Sequence, residues 1–314
     1  MLIDLIPRFE ASISKSVDYK REEFALPIPG ETLQLPVQAI VPSSGFREYF
    51  YPEQVPKQRI VLHFTAGVLT GDLGVLMSKE RGYVSVAYVL SRGGTVYRLF
   101  DPSAWSYHLG PAALGGNRTQ SRSSIGIEIS NLGPLKQTGN ELRTYYDKAY
   151  STLDRKEHYL PLNKPFREYS HYASYTPQQI NALIVLLRYL TATCKIPRAF
   201  LPEAKRYETT NDVTSFSGIV SHVNFRTDKY DIGPGFPWDE VIKGVTAPAY
   251  VSTAPLGRGG PMAVESEKAL DRGFVPPADS KFDPDEYGED GPPVEDIDSL
   301  QPSDADIQRM LSAK

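Results

Sequence analysis

Two short β-branched runs, each delivering a histidine, constrain this chain more than any other feature. Arg59–Phe64 (RIVLHF) is an apolar stretch of strand length that delivers His63 near its end. Gly218–Ser221 is a shorter run of the same character, read as a buried strand, and His222 follows it at once. A third strand over Ser124–Asn131 carries Glu128 within Ile125-Gly126-Ile127-Glu128-Ile129. Between them, Val84–Ser91 and Thr95–Phe100 flank the turn Arg92-Gly93-Gly94 and predict a hairpin. Gly71 and Asp72 start a short helix reaching to about Lys79. Thr176-Pro177-Gln178-Gln179 opens a longer helix, with Thr176 as N-cap and Pro177 in the first helical position. Ile180, Leu183, Ile184, Leu187 and Leu190 then share one helical face. Strands separated by helices, together with a hairpin, predict an α/β fold: a mixed central β-sheet packed by helices.

The flanks read differently. Residues 1–57 are rich in proline and aromatics without clear periodicity, and are expected to form an N-terminal extension wrapping a main domain over 58–244. Within that domain, about 134–175 is polar, tyrosine-rich and broken by prolines, as an insertion would be. From 245 to 314 proline and glycine make up roughly a fifth of the residues, and acidic residues dominate from Glu265 to Asp306. That composition predicts an extended or disordered acidic tail, a solvated spacer or a peptide for a docking partner, with a short helix over Asp304–Leu311.

Composition removes several function classes. A net charge of −4 and a pI near 5.8 argue against a nucleic-acid binder, which would need a basic face to meet phosphates. Cys194 is the single cysteine, so no intramolecular disulfide framework forms. The apolar run Ile180–Leu190 is too short to span a bilayer and is interrupted by Asn181 and Arg188. The opening MLIDLIPRFE lacks a positive start before a continuous apolar stretch, and does not read as a secretory signal.

Five histidines are present: His63, His108, His158, His171 and His222. A histidine near a strand end is ordinarily a structural, hydrogen-bonded residue. His63 and His222 differ because each follows a rigid strand, and metal ligation needs that rigidity. Asp231 lies nine residues after His222, next to the turn-forming Gly233-Pro234-Gly235, and can complete a set of three ligands with a fourth position open to water. Lys229 is two residues earlier and, in an extended segment, points to the same side, where it can stabilise a developing oxyanion. Glu128 either faces solvent from an edge strand or is buried as a general base.

At this point the strings RIVLHFTAG, VSVAYVLSRGGTVYRLF, AWSYHLG, SSIGIEISNLG and GIVSHVNFRTDKYDIGPGFPW, spanning about 58–243, resemble the zinc amidase family. That family includes amidase-type phage lysozymes, anhydromuramyl-peptide amidases and peptidoglycan recognition proteins. The resemblance implies Zn2+ held by His63, His222 and Asp231, with Glu128 activating the water and Lys229 facing the oxyanion. It implies hydrolysis of the amide between N-acetylmuramic acid and L-alanine, with peptidoglycan or a muropeptide as partner. It also makes His108 and Trp105 expected substrate contacts, with Tyr88 a further contact lining the cleft or else a core residue. Two departures stand out. The family's Trp-His-Ala-Gly motif is spelled here Trp105-Ser106-Tyr107-His108-Leu109-Gly110, two residues longer between tryptophan and histidine. A tyrosine that is catalytic in some members falls by register on Val86. His158 and His171 lie in the unmatched insertion and are expected at the surface. The alternatives are a peptidoglycan-binding module without catalysis, and an amidase carried by a phage or contractile injection particle. The expected route is synthesis in the cytoplasm, then action on the wall after release or delivery.

Overall fold

Every residue of Arg59–Phe64 is buried, so this strand must be covered on both faces. In chain order the computed structural model, which describes residues 1–251 and 254, begins with helix α1 (Leu2–Ile13) and strands β1 (Tyr19–Pro27) and β2 (Gln34–Pro42). The buried strand is β3 (Arg59–Phe64), followed by α2 (Leu69–Leu76), β4 (Tyr88–Leu90), β5 (Val96–Arg98), α3 (Asn117–Arg122) and β6 (Ser124–Ile129). Next come β7 (Pro134–Thr138), β8 (Glu141–Arg143), β9 (Ala149–Thr152), β10 (Tyr159–Phe166) and β11 (Tyr169–Ala173). Helix α4 (Pro177–Thr193), β12 (Gly218–Ser221) and α5 (Trp238–Thr246) complete the fold.

The central sheet has the order β1-β2-β5-β4-β6-β3-β12 and is mixed, as expected. Its middle is parallel: β3 lies between β6 and β12, with Leu62 opposite Ser221 and His63 opposite Glu128. Ile60, Leu62, Ile125 and Ile127 join the larger core together with Ile180, Leu183 and Leu187 of α4. Val61 and Val220 instead pack with Leu109 and Phe225 in a smaller cluster. Strand alternation puts His63 on the Val61 face, and the register puts Glu128 beside it. The large core thus buries one face of the parallel strands, while the other face, under the smaller cluster, carries His63 and Glu128.

Helix α4 starts where its cap predicts. Thr176 Oγ1 accepts from Gln179 N at 3.1 Å, and Pro177 occupies the first turn. Its far end is fixed by Arg188, wholly buried, which pairs with Glu31 at 2.8 Å and donates to the Gly244 and Val245 carbonyls at the end of α5.

Several expectations change. Helix α2 runs Leu69–Leu76 and not from Gly71 to Lys79, and the hairpin strands are shorter than their apolar runs. Residues 1–57 contain a helix and two strands of the central sheet. In α1, Leu2, Ile3, Ile6 and Phe9 pack against Leu135, Leu142 and Tyr150. The stretch read as a polar insertion is a second, antiparallel sheet of order β10-β11-β7-β8-β9. Helix α5 was not anticipated. The acidic tail and its predicted helix lie outside the described residues. Among the described residues no helix is long and apolar enough to cross a membrane.

Candidate metal centre

The strand end at His63 and the chain just after β12 converge on one point. Past Ser221 the backbone must turn at once, and Asn224 makes it do so. Its Oδ1 accepts from Ser221 N at 3.0 Å, while its amide donates to the Lys205 and Glu208 carbonyls, each at 2.9 Å. The loop carrying Asp231 is tied back by Val223 N donating to Asp231 O at 2.6 Å. Tyr172 of β11 packs so closely on the following turn that a Cβ at Gly235 would lie 2.3 Å from its ring. A side chain there would displace the loop.

Three atoms result in a near-equilateral triangle. His63 Nδ1 and His222 Nδ1 are 3.0 Å apart, and Asp231 Oδ2 is 3.2 Å from the first and 3.1 Å from the second. Ligand atoms on a tetrahedral zinc at ordinary bond lengths are separated by about 3.3 Å. All three side chains are buried, and among the described residues they form the one group of His, Cys, Asp or Glu placed to hold an ion together.

The hydrogen-bond partners of the outer ring nitrogens assign the inner ones. His222 Nε2 faces the Leu109 carbonyl at 2.9 Å, and a carbonyl only accepts. The Nε2 therefore carries the proton and Nδ1 presents its lone pair. For His63 the relay is longer. Ser124 donates to the Gln120 carbonyl at 2.7 Å, so it accepts from His108 Nε2 at 2.9 Å. Burial first, then the neighbouring His63 and His222, push the His108 pKa well below the histidine range, so its Nδ1 is an acceptor. It takes the proton of His63 Nε2 at 3.0 Å, leaving the His63 Nδ1 lone pair turned inward. Burial alone would raise the Asp231 carboxyl; only positive charge at the His222 and His63 nitrogens it faces, whether protons or an ion in their place, would hold it below the usual range. Asp231 Oδ1 is buried with no hydrogen-bond partner among the described residues. Two lone pairs and a carboxylate facing one another repel unless a cation stands between them, so these residues fit a divalent ion of the zinc type.

Glu128 is wholly buried on β6 beside His63, and not on a solvent-facing edge. Lys229 is also buried, on the Asp231 loop. The expected substrate contacts change place. Tyr88 is aligned with Ile127, whereas Glu128 is aligned with Val89, so Tyr88 points from the opposite face of the sheet. It is fully buried in the large core and does not line the site. Trp105 stacks on Tyr51 with ring centroids 4.2 Å apart, donates to Glu53 at 3.2 Å, and is buried, so it is structural too. His108 stands behind His63 as its hydrogen-bond partner and is not exposed to a ligand. The longer motif has a local reason: over 105–108 alternate residues diverge, Trp105 and Tyr107 entering the aromatic cluster of Tyr51 and Tyr83 while His108 turns to the centre. His158 and His171 are half-buried in the insertion and bond Arg155 and Ser170.

Sequence reasoning missed Ser124, Gly126 and Tyr172. The small residues at 124 and 126, alternating with Glu128, were the available signal. A Cβ at Gly126 would come 2.8 Å from Val86 and 3.2 Å from the His108 ring, so glycine is what admits His108.

The model of the N-acetylmuramoyl-L-alanine amidase family (Amidase_2) matches residues 53–235, more than half of the chain. Similar solved structures include the amidase AmiD from E. coli, in complex with anhydro-N-acetylmuramic acid-L-Ala-D-gamma-Glu-L-Lys, at 21% identity and a TM-score of 0.40. That match covers 65% of this chain and 62% of AmiD, so the chain spans less than two thirds of that structure. AmpDh3 from Pseudomonas aeruginosa is 18% identical with a TM-score of 0.38, covering 65% of each chain. The amidase LysC from Clostridium intestinale URNW is 18% identical with a TM-score of 0.32, covering 61% of this chain and 89% of LysC. No curated protein sequence matches. Likenesses at these scores carry no argument of their own, and it is the match over 53–235 that decides: the chain belongs to the N-acetylmuramoyl-L-alanine amidase family.

Proposed function

We propose that the protein is a zinc-dependent amidase cleaving the bond between N-acetylmuramic acid and L-alanine in peptidoglycan or its fragments. The observation that carries this reading is the buried triangle of His63 Nδ1, His222 Nδ1 and Asp231 Oδ2, with sides of 3.0–3.2 Å. A zinc ion held by these three supplies a Lewis acid that acidifies water and polarises a carbonyl. The protein's residues do the rest. Glu128, one strand over from His63, takes the proton of the attacking water and returns it to the departing amine of L-alanine. Lys229 presents its ammonium to the oxygen that gains charge as the carbonyl is attacked. The low-dielectric surroundings of both buried side chains strengthen these effects. Asp231, Glu128 and Lys229 together are more than a wall-binding module without catalysis needs, so hydrolysis is the preferred reading.

The test is mass spectrometry of products from purified peptidoglycan, with zinc content measured on the same sample. Unaltered protein should release stem peptides beginning with a free L-alanine amine. His222→Ala should lose both the metal and the release. Full zinc and full activity in that variant would sink the assignment.

A further inference from the structure

The loop that carries Lys229 and Asp231 also carries Tyr230 between them, and Tyr230 belongs to an aromatic group built by the second sheet. The Phe166 and Tyr169 rings meet it nearly edge-on at 6.3 and 5.8 Å. The Arg167 guanidinium lies over its face at 4.1 Å and donates to the Thr227 carbonyl at 2.6 Å and to that of Lys229. On the outer side stands Tyr145, tilted against Tyr230 at 6.0 Å. Tyr145 is 54% exposed, the one aromatic among the exposed large hydrophobic residues described. Tyr145 is the one large hydrophobic side chain of this group that is exposed, Tyr146, Phe166 and Tyr230 beside it being half-buried, and Asp147, Arg167 and Asp228 on the segments that carry them are charged and exposed. A protein interface needs a broader apolar face than this. A pyranose does not: its C–H face lies on one aromatic ring, and its hydroxyls and acetamido group bond to the polar rim.

We propose that Tyr145, backed by Tyr230, is a carbohydrate subsite that receives an N-acetylhexosamine ring of the glycan strand. It rests on the amidase reading, which places the metal centre at the junction of sugar and peptide. Tyr230, on which Tyr145 leans, adjoins both Lys229 and Asp231 in the chain, and Arg167 ties it to their loop. A strand lying on Tyr145 brings its stem peptide to the centre, so glycan-attached stems are better substrates than free fragments.

The full-length protein and its Tyr145→Ala and Tyr145→Phe variants should be titrated calorimetrically with N-acetylchitotetraose, with stem release from purified peptidoglycan followed in parallel. Loss of the ring should weaken chitotetraose binding up to about tenfold, the weight of one stacking contact, and phenylalanine should restore it. Equal affinity in all three proteins, or no binding by the unaltered one, would overturn the subsite. So would weakened binding of the free tripeptide L-Ala-γ-D-Glu-L-Lys with chitotetraose unaffected. Binding of chitotetraose through Tyr145 without stem release would instead overturn the amidase reading and leave the subsite standing.

Discussion

The two sheets of this protein use the same backbone pairing for opposite purposes. In the central sheet, β3, β6 and β12 are buried at every position. In the second sheet, β10 has no buried residue, and β7 is buried only at Pro134 and Leu135. The buried strands carry His63 and Glu128 and end just before His222, so they fix the two histidines proposed as ligands and the proposed general base. The second sheet and its β10–β11 turn supply Tyr172, Phe166 and Arg167 to the loop that brings Asp231, the proposed third ligand. Rigidity in the first sheet comes from packing on both faces, and in the second from a few directed contacts. Substitutions should therefore divide. Those on the core side should remove chemistry or metal, and those on the insertion side should change substrate handling and local stability.

The largest effect is expected at Glu128. Glu128→Ala should keep zinc, because Glu128 is not among the three converging atoms, yet lose about 10²- to 10⁴-fold in turnover as a general base does. Zinc analysis beside stem-release rates checks this. Loss of zinc together with activity would make Glu128 a ligand and blur the division within the core.

Next comes the relay behind His63. His108→Ala removes the acceptor for His63 Nε2 and frees that ring to rotate. Zinc affinity, measured by competition with a chelating dye, should fall about 10- to 100-fold, with the fold retained by circular dichroism. His108→Asn places a side-chain oxygen near the lost Nδ1 and should recover part of the affinity. Ser124→Ala acts one bond further back and should cost less than His108→Ala. If it costs more, the relay runs differently from the order Gln120, Ser124, His108, His63.

The same contrast explains what the sequence made legible. RIVLHF and GIVSH are continuous apolar runs, and such runs identify strands buried on both faces without further context. Their histidines and Glu128 could be singled out because each interrupts or follows an apolar pattern, and Asp231 by its place nine residues after His222 beside a Gly-Pro-Gly turn. The second sheet hides because most of its strands bury little: none of β10, Leu142 alone in β8, and two residues each in β7 and β9. One signal was present. Gly139-Asn140 joins β7 to β8 as a two-residue turn, with Gly139 at φ +60°. Helix α1 hides for another reason: Pro7 lies inside it, although Leu2, Ile3, Ile6, Phe9 and Ile13 keep helical spacing and are buried. Tyr88 takes the core alternative, whereas Trp105 and His108 turn elsewhere than expected because a motif fixes order along the chain but not the face to which a side chain turns.

Arg167 gives the smallest effect and the sharpest test of the division. Its guanidinium covers Tyr230 and donates to two carbonyls of the Asp231 loop, yet it is exposed, so water replaces much of what its removal takes away. Arg167→Ala should cost about 1–2 kcal/mol in unfolding free energy, measured by denaturant titration, from one cation–π contact and hydrogen bonds in solvent. The loop itself should stay, because Tyr172 still packs on Gly235 and Val223 still holds the Asp231 carbonyl. Zinc affinity should then be nearly unchanged, while KM for peptidoglycan rises several-fold as Tyr230 loses its support. A fall in zinc affinity as large as that of His108→Ala would mean that the insertion holds the metal as firmly as the core does. The two sheets would then form a single unit of the metal site.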